Sequence, residues 1–444
     1  MKNLLYIVFL FVFVSACSTK PENKPYSWDD DLHRRLLTDF CLTESQVKDY
    51  IRKYIPDVTD EQMRQWEASN ALECMVLDGE KRYFRNAGPN LFRVDSACYD
   101  IRIAKEGTAL SGSEKVNKEN LPEVITAVKK ENKAIVAPKR MRVTYTLTVD
   151  TNAVPAGKLV RCWLPYPRTD QARQRDVKFI SASEPDYVLS PQECRHSTLY
   201  MEKRAVQGEP TVFSETFEYT SCGEWHNLRA EDVLPYDTTT ALYKEYTAER
   251  EKHIVFSPRL RELAVKLTAG ETNPYLKAKR IFRWINDHFP WASAREYSTI
   301  ENIPEYVLDN RHGDCGQVSL LFITLCRISG IPAYFQSGFM MHPRAWNLHD
   351  WAEVYFEGVG WVPVDQSFGI PAFVRNADEE YFFLGGIDSW RMIVNTDYGM
   401  PLVPEKKYPR SETVDFQRGE VEWEGGNLYF PQWSYHMDID YLNY

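Results

Sequence analysis

The sequence predicts an α+β protein with a helical beginning, a β-sandwich in the middle and a mixed second half. Three observations carry that prediction. Apolar residues repeat at helical spacing over about 28–135, strict alternation sets in at Met141, and helical periodicity returns at Ser257 before giving way to alternation near His349. At roughly 150 residues per domain, 444 residues correspond to about three domains. Hydrophobic residues make up 43% and aromatics 14%, enough for buried cores and against extended disorder. A net charge of -10 with no basic stripe would repel a phosphate backbone, so nucleic-acid binding is excluded.

Residues 1–16 read as a signal peptide. A cationic Met1-Lys2-Asn3 precedes the apolar run Leu4 to Val14, too short for a spanning helix of about 20 residues. Val14-Ser15-Ala16-Cys17 resembles the lipobox of bacterial lipoproteins, which implies cleavage before Cys17, lipid on its thiol, and a protein held in the cell envelope by that anchor alone. Residues 17–27, rich in Lys, Pro and Ser, read as a tether.

Residues 28–135 are expected to be mainly helical. Thr43 with Gln46 and Thr59 with Gln62 fit capping boxes, Asp78-Gly79 marks a turn, and 113–134 is expected as a connecting helix. This region carries no recognisable chemistry. Over 140–240, Val143, Tyr145, Leu147 and Val149 alternate with polar residues, and short strands follow near 158–164, 177–182, 198–205 and 211–220. That density predicts the sandwich. Export permits disulfides, and Cys194 with Cys222 is one pairing the spacing allows.

The third region, 250–444, opens with helices at Ser257-Pro258 and Asn273-Pro274. Arg311-His312-Gly313-Asp314-Cys315-Gly316 precedes a buried helix over 316–329, stopped by Gly330. Cys315 at a helix N-terminus is placed where backbone N–H groups and the helix dipole favour a thiolate. Gly313 and Gly316 are expected to leave room for a substrate. A thiolate nucleophile needs a base. His349 opens an alternating strand, and 361–365 reads as its return. Register decides whether His349 and Asp365 meet: a three-residue loop at 357–359 sets Asp365 opposite Trp351, within side-chain reach of His349, and a two-residue loop sends it to the other face. After residue 370 the chain is aromatic-rich and reads as an irregular extension, with Arg391, Asn395 and Arg410 as candidates for a substrate wall.

Gly313-Asp314-Cys315, Gly330-Ile331-Pro332-Ala333, His349-x-Trp351-x-Glu353-Val354 and Gly360-Trp361-x-x-x-Asp365 resemble the core of the transglutaminase-like superfamily over about 275–370. The resemblance implies a papain-like core with Cys315 as nucleophile, His349 as base and Asp365 as its orienting partner. It implies no cofactor and no metal. Trp291 and Tyr297 are candidates for the family's oxyanion-hole side chain, beside the Cys315 backbone N–H. The function so implied is a thiol enzyme acting on amide bonds of a peptide, protein or peptidoglycan-like substrate. Hydrolysis, transfer to an amine, and a binding protein with an unused triad are its three forms.

Overall fold

The computed structural model describes residues 26–442. The expected signal peptide, Cys17 and most of the tether lie outside them.

Helices from Trp28–Asp39 to Ser96–Glu106 enclose one apolar cluster built on Val47, Ile51, Met63, Trp66, Leu91 and Phe92. Thr43 and Thr59 each close a full capping box with the glutamine three residues on, satisfying N–H groups that a helix start leaves unpaired. The region is not wholly helical. Asp78-Gly79, both at positive φ, turns a hairpin between Cys74–Leu77 and Glu80–Tyr83. The connecting helix runs Gly112–Glu131 and buries Leu121, Val124 and Ile125 against the second half of the chain.

Two five-stranded sheets share the next core. In one, Thr211–Trp225 pairs with Ile135–Val149 on one side and with Gln174–Ala182 and Gly386–Ile387 on the other, and Ile135–Val149 pairs onward with Trp433–Tyr441. The other runs Gly426–Leu428, Glu420–Trp423, Leu159–Pro165, Thr198–Arg204, Tyr187–Leu189. Tyr145, Leu147, Trp163, Met201, Phe213 and Phe217 fill the space between them. The layout differs from a sandwich confined to 140–240, because four of its strands come from beyond residue 385. Without Trp433–Tyr441, the strand Ile135–Val149 would present an open edge of unpaired N–H and C=O groups. The aromatic extension is therefore strand-forming. The described cysteines are all free, so Cys194 and Cys222 are not joined.

The third sheet is antiparallel, in the order Gly360–Val364, Asn347–Phe356, Ala333–Met340, Arg391–Asn395. Helices Pro258–Thr268, Pro274–His288 and Cys315–Ile328 cover one face, where Phe282, Leu321, Phe322 and Leu325 meet Ala352, Val354 and Val362. On the other face Trp351 packs with Ile387 and Ile393. The molecule is an α+β protein in which the sandwich and the third sheet are laced together by the C-terminal segment. Among the described residues no helix is long and apolar enough to cross a membrane.

Candidate active site

Cys315 is the first residue of the helix Cys315–Ile328. Asp314 caps it, accepting from the Gln317 N–H while the Gln317 side chain accepts from the Asp314 N–H. The thiol meets Asp350 Oδ2 at 3.5 Å. This corrects the expected thiolate: burial pushes the Cys315 thiol up, and the Asp350 and Asp314 carboxyls push it further. A helix dipole favours an anion only where neighbouring acids do not oppose it. Nor is the space over Gly316 open to substrate. A Cβ there would run into the Tyr297 hydroxyl and lie 2.7 Å from Asp350 Oδ2.

The strand Asn347–Phe356 pairs with Gly360–Val364 with Phe356 opposite Gly360 and Ala352 opposite Val364. The loop is thus 357–359, with Gly358 at φ +86°. Asp365, one residue past the ladder, reaches His349 Nε2 with Oδ2 at 2.7 Å. Arg391 donates to the same oxygen at 2.7 Å and, with two nitrogens, to Asp388, which also meets His342 at 3.1 Å. All of these side chains are buried. Burial alone would raise Asp365, but His349 and Arg391 outweigh it and hold the carboxyl below its ordinary value. Burial holds the His349 imidazole down, against the pull of Asp365. The surroundings therefore favour the thiol form of Cys315, the uncharged form of His349 and the ionised form of Asp365.

Strand alternation explains why the sulfur touches Asp350 and makes no hydrogen bond to His349. Asp350 and Ala352 point toward the helix, whereas His349 and Trp351 point to the opposite face. His312 is buried edge-on against Tyr306, and burial holds it down to about 4.

The two oxyanion candidates part company. Tyr297 lines the Cys315 cavity, but its hydroxyl donates to Asp314 Oδ1 at 2.5 Å. Trp291 is 45% exposed under Arg93 and lines a separate depression with Gly313, Val318 and Gln366. Arg391 and Asn395, candidates for a substrate wall, are buried instead, Arg391 on Asp365 and Asn395 on Ser337 and the Phe416 carbonyl.

The cavity at Cys315 holds about 170 Å³ and draws its walls from three distant stretches. Arg85 comes from the N-terminal region, Glu296 and Tyr297 from the approach to the helix Cys315–Ile328, and Glu412, Asp415, Gln417 and Arg418 from the C-terminal segment. Gln417 ties that segment to the strand Asn347–Phe356, donating to the His349 carbonyl at 2.9 Å and to Asp350 Oδ1 at 2.8 Å. No local motif marks these wall residues. The one signal in the sequence is a density of charge between Arg410 and Glu420 within an otherwise aromatic stretch.

Residues 261–366 match the sequence profile of the Transglutaminase-like superfamily. An uncharacterized protein of Haemophilus influenzae is 24% identical over 259 residues, covering 50% of this chain and 68% of that protein. The uncharacterized YebA of Bacillus subtilis is 26% identical over 140 residues; the aligned part is 27% of this chain and only 19% of YebA. A solved candidate cysteine protease from Cytophaga hutchinsonii superposes with a TM-score of 0.46 at 16% identity, over 70% of this chain and 93% of that one. The periplasmic domain of TgpA from Pseudomonas aeruginosa gives 0.28 at 15% identity, over 59% and 95%. Its profile match and the four motifs around Cys315, His349 and Asp365 make the segment 261–366 similar to the core of the transglutaminase-like superfamily.

Proposed function

We propose that the protein is a thiol enzyme that hydrolyses amide bonds through a thioester on Cys315. The observation that carries this reading is the buried His349–Asp365 pair at 2.7 Å, on the strand whose next residue touches the nucleophile sulfur. A histidine oriented by a carboxylate beside a helix-borne cysteine is the arrangement that acyl transfer needs.

In the proposed cycle sulfur and imidazole come together only as substrate enters, since catalytic hydrogen bonds are often long before substrate binds. His349 takes the thiol proton while sulfur bonds to the amide carbon. The oxyanion is met by the Cys315 backbone N–H. His349 then gives the proton to the departing nitrogen, the C–N bond breaks, and a thioester and a free amine result. Water, deprotonated by His349, adds to the thioester; the C–S bond breaks, the acid leaves, and the thiol regains its proton. Asp365 stays ionised throughout and stabilises the imidazolium, with Arg391 holding it in place. Amine attack in place of water would make the protein an acyltransferase. A lipid anchor at Cys17 would set this chemistry at the cell envelope, on a peptide or peptidoglycan-like amide.

The test is trapping. Wild-type protein incubated with an activated ester should gain one acyl mass on the peptide containing Cys315. His349→Ala should slow acylation at least about a hundredfold, the usual worth of a general base, and Cys315→Ala should abolish it. Acylation at other cysteines only, or equal rates in wild type and His349→Ala, defeats the reading.

A further inference from the structure

The cavity at Cys315 contains more acid than its own cations use. Five carboxylates line it, Glu296, Asp314, Asp350, Glu412 and Asp415, against three guanidiniums, Arg85, Arg295 and Arg418. Two of the guanidiniums are taken by Glu296 and Glu412, and the third turns out of the cavity. Arg418 binds Glu296 at 2.7 Å and Glu412 at 2.5 Å, Arg85 binds Glu296 at 2.9 Å, and Arg295 lies 3.6 Å from Glu73, outside the cavity. Asp314 is spent on the helix cap and Tyr297. Among the described residues Asp350 holds only Gln417 and the thiol.

Asp415 is the telling residue. It is 7% exposed and lines the cavity, yet its carboxylate has neither a hydrogen bond nor an ion pair among the described residues. The loop that carries it is pinned: Arg410 donates to the Asp415 and Met400 carbonyls, and Glu412 accepts from the Gln417 and Arg418 N–H groups. A largely buried carboxylate without a protein partner costs stability, so one fixed in the wall of the cavity that contains Cys315 calls for a cationic ligand.

We propose that this cavity recognises a primary ammonium group carried by the amide substrate, with Asp415 and Asp350 as its anionic partners. The inference rests on the thiol-enzyme reading for the word substrate, and only for that. An ammonium suits the site because its three donors can serve carboxylates arriving from different segments, whereas a planar guanidinium prefers a single fork. A bare metal ion is a poorer fit: among the described residues no three His, Cys, Asp or Glu groups lie close enough to share one. The volume admits an aminoalkyl head and not a whole drug-sized ligand, which needs about 300 Å³ or more. The same acids place the cation on the acyl donor. A bound acceptor amine must lose its proton to attack the thioester, and a surplus of carboxylates holds it protonated. Burial, with the carboxyls of Glu412 and Asp314 beside it, pushes Asp415 up, as expected of a group awaiting a positive partner; Arg418 pulls the other way and Glu296 adds to the rise.

The test uses the full chain with n-butylamine as probe and 1-butanol as its neutral counterpart, followed by calorimetry at pH 7.5. Butylamine should bind saturably to wild type and equally to Cys315→Ala, butanol should not, and Asp415→Asn should weaken binding at least tenfold while keeping a cooperative melt. Equal binding of butylamine by wild type and Asp415→Asn, or of both probes by wild type, overturns the proposal. Because Cys315→Ala is inert but still binds, loss of the thioester reading and loss of this one are separable. In a second arm, wild type receives a glutamine-containing peptide with butylamine. A butylamide product shows the amine in the acceptor position and overturns the donor assignment. If Asp415→Asn blunts cleavage of peptides with a free amino group near the scissile bond, and spares their N-acetylated forms, the donor assignment stands.

Discussion

At the scale of single residues, two buried charges decide different things. Arg391 is enclosed between Asp365 and Asp388 and donates to both. Arg391→Met would leave two buried carboxylates short of their cation, and removing one member of such a cluster costs about 3–5 kcal/mol. Urea unfolding should show that loss, and imidazole alignment should suffer with it. Asp415 behaves in the opposite sense. Its folded-state value is raised, so the folded state retains a proton that the unfolded state has released, and stability falls as pH rises above about 4. Asp415→Asn should therefore melt higher than wild type at pH 7.5, by on the order of 1 kcal/mol, and the gain should vanish near pH 4. A variant equally stabilised at both values would contradict the unpartnered state of this carboxylate.

Reactivity of the thiol belongs to the same scale. The Cys315 thiol is held up by burial, Asp350 and Asp314, so in the ligand-free protein its alkylation by iodoacetamide should set in only above the ordinary thiol value of about 8.5. Asp350→Asn removes the nearest acid and should move that onset to lower pH. Cys315 labelled freely at pH 6 would show that the helix dipole prevails after all.

Among elements, the helix Cys315–Ile328 depends on a close approach. Tyr297 and Asp350 lie against Gly316 where a side chain would begin. Gly316→Ala must push Tyr297 off Asp314 or displace the helix start, a steric cost of about 1–3 kcal/mol. Acylation of Cys315 should drop more steeply than stability, because the cap that positions the sulfur moves first. The hairpin Asn347–Phe356 to Gly360–Val364 was legible as an either–or. The alternation marked the strands, but the choice between two loop lengths was made by Gly358 in its left-handed conformation and by the packing of Ala352 and Val364 under the helix. A one-residue slip would have turned those side chains to the wrong face.

Over the whole molecule, the C-terminal segment joins what sequence order separates. It gives strands to both sheets of the sandwich, an edge strand to the third sheet, and Glu412, Asp415, Gln417 and Arg418 to the cavity. A chain ending at Gly399 would lose Glu420–Trp423, Gly426–Leu428 and Trp433–Tyr441 together. Such a truncation should fail to give a cooperative melt, even though residues 261–366 are intact. A truncated protein that melts cooperatively and still acylates Cys315 would show the core to be autonomous.

Sequence by itself determined what local chemistry can encode. The capping boxes at Thr43 and Thr59, the helix after Cys315 and the alternation from Met141 follow from spacing, and the His-x-Trp and Gly-Trp motifs mark the strands that carry His349 and lead to Asp365. Tertiary structure decided whatever depends on partners far apart in the chain. The acid-lined environment of Cys315, the anchoring of Asp365 by Arg391, and the assembly of Arg85, Glu296 and Asp415 around one cavity are examples. The physical reason is that the charge state of a buried group is set by the field of its neighbours, and strand edges are satisfied by whichever segment reaches them. Neither the neighbours nor the reach is written in the residues next door.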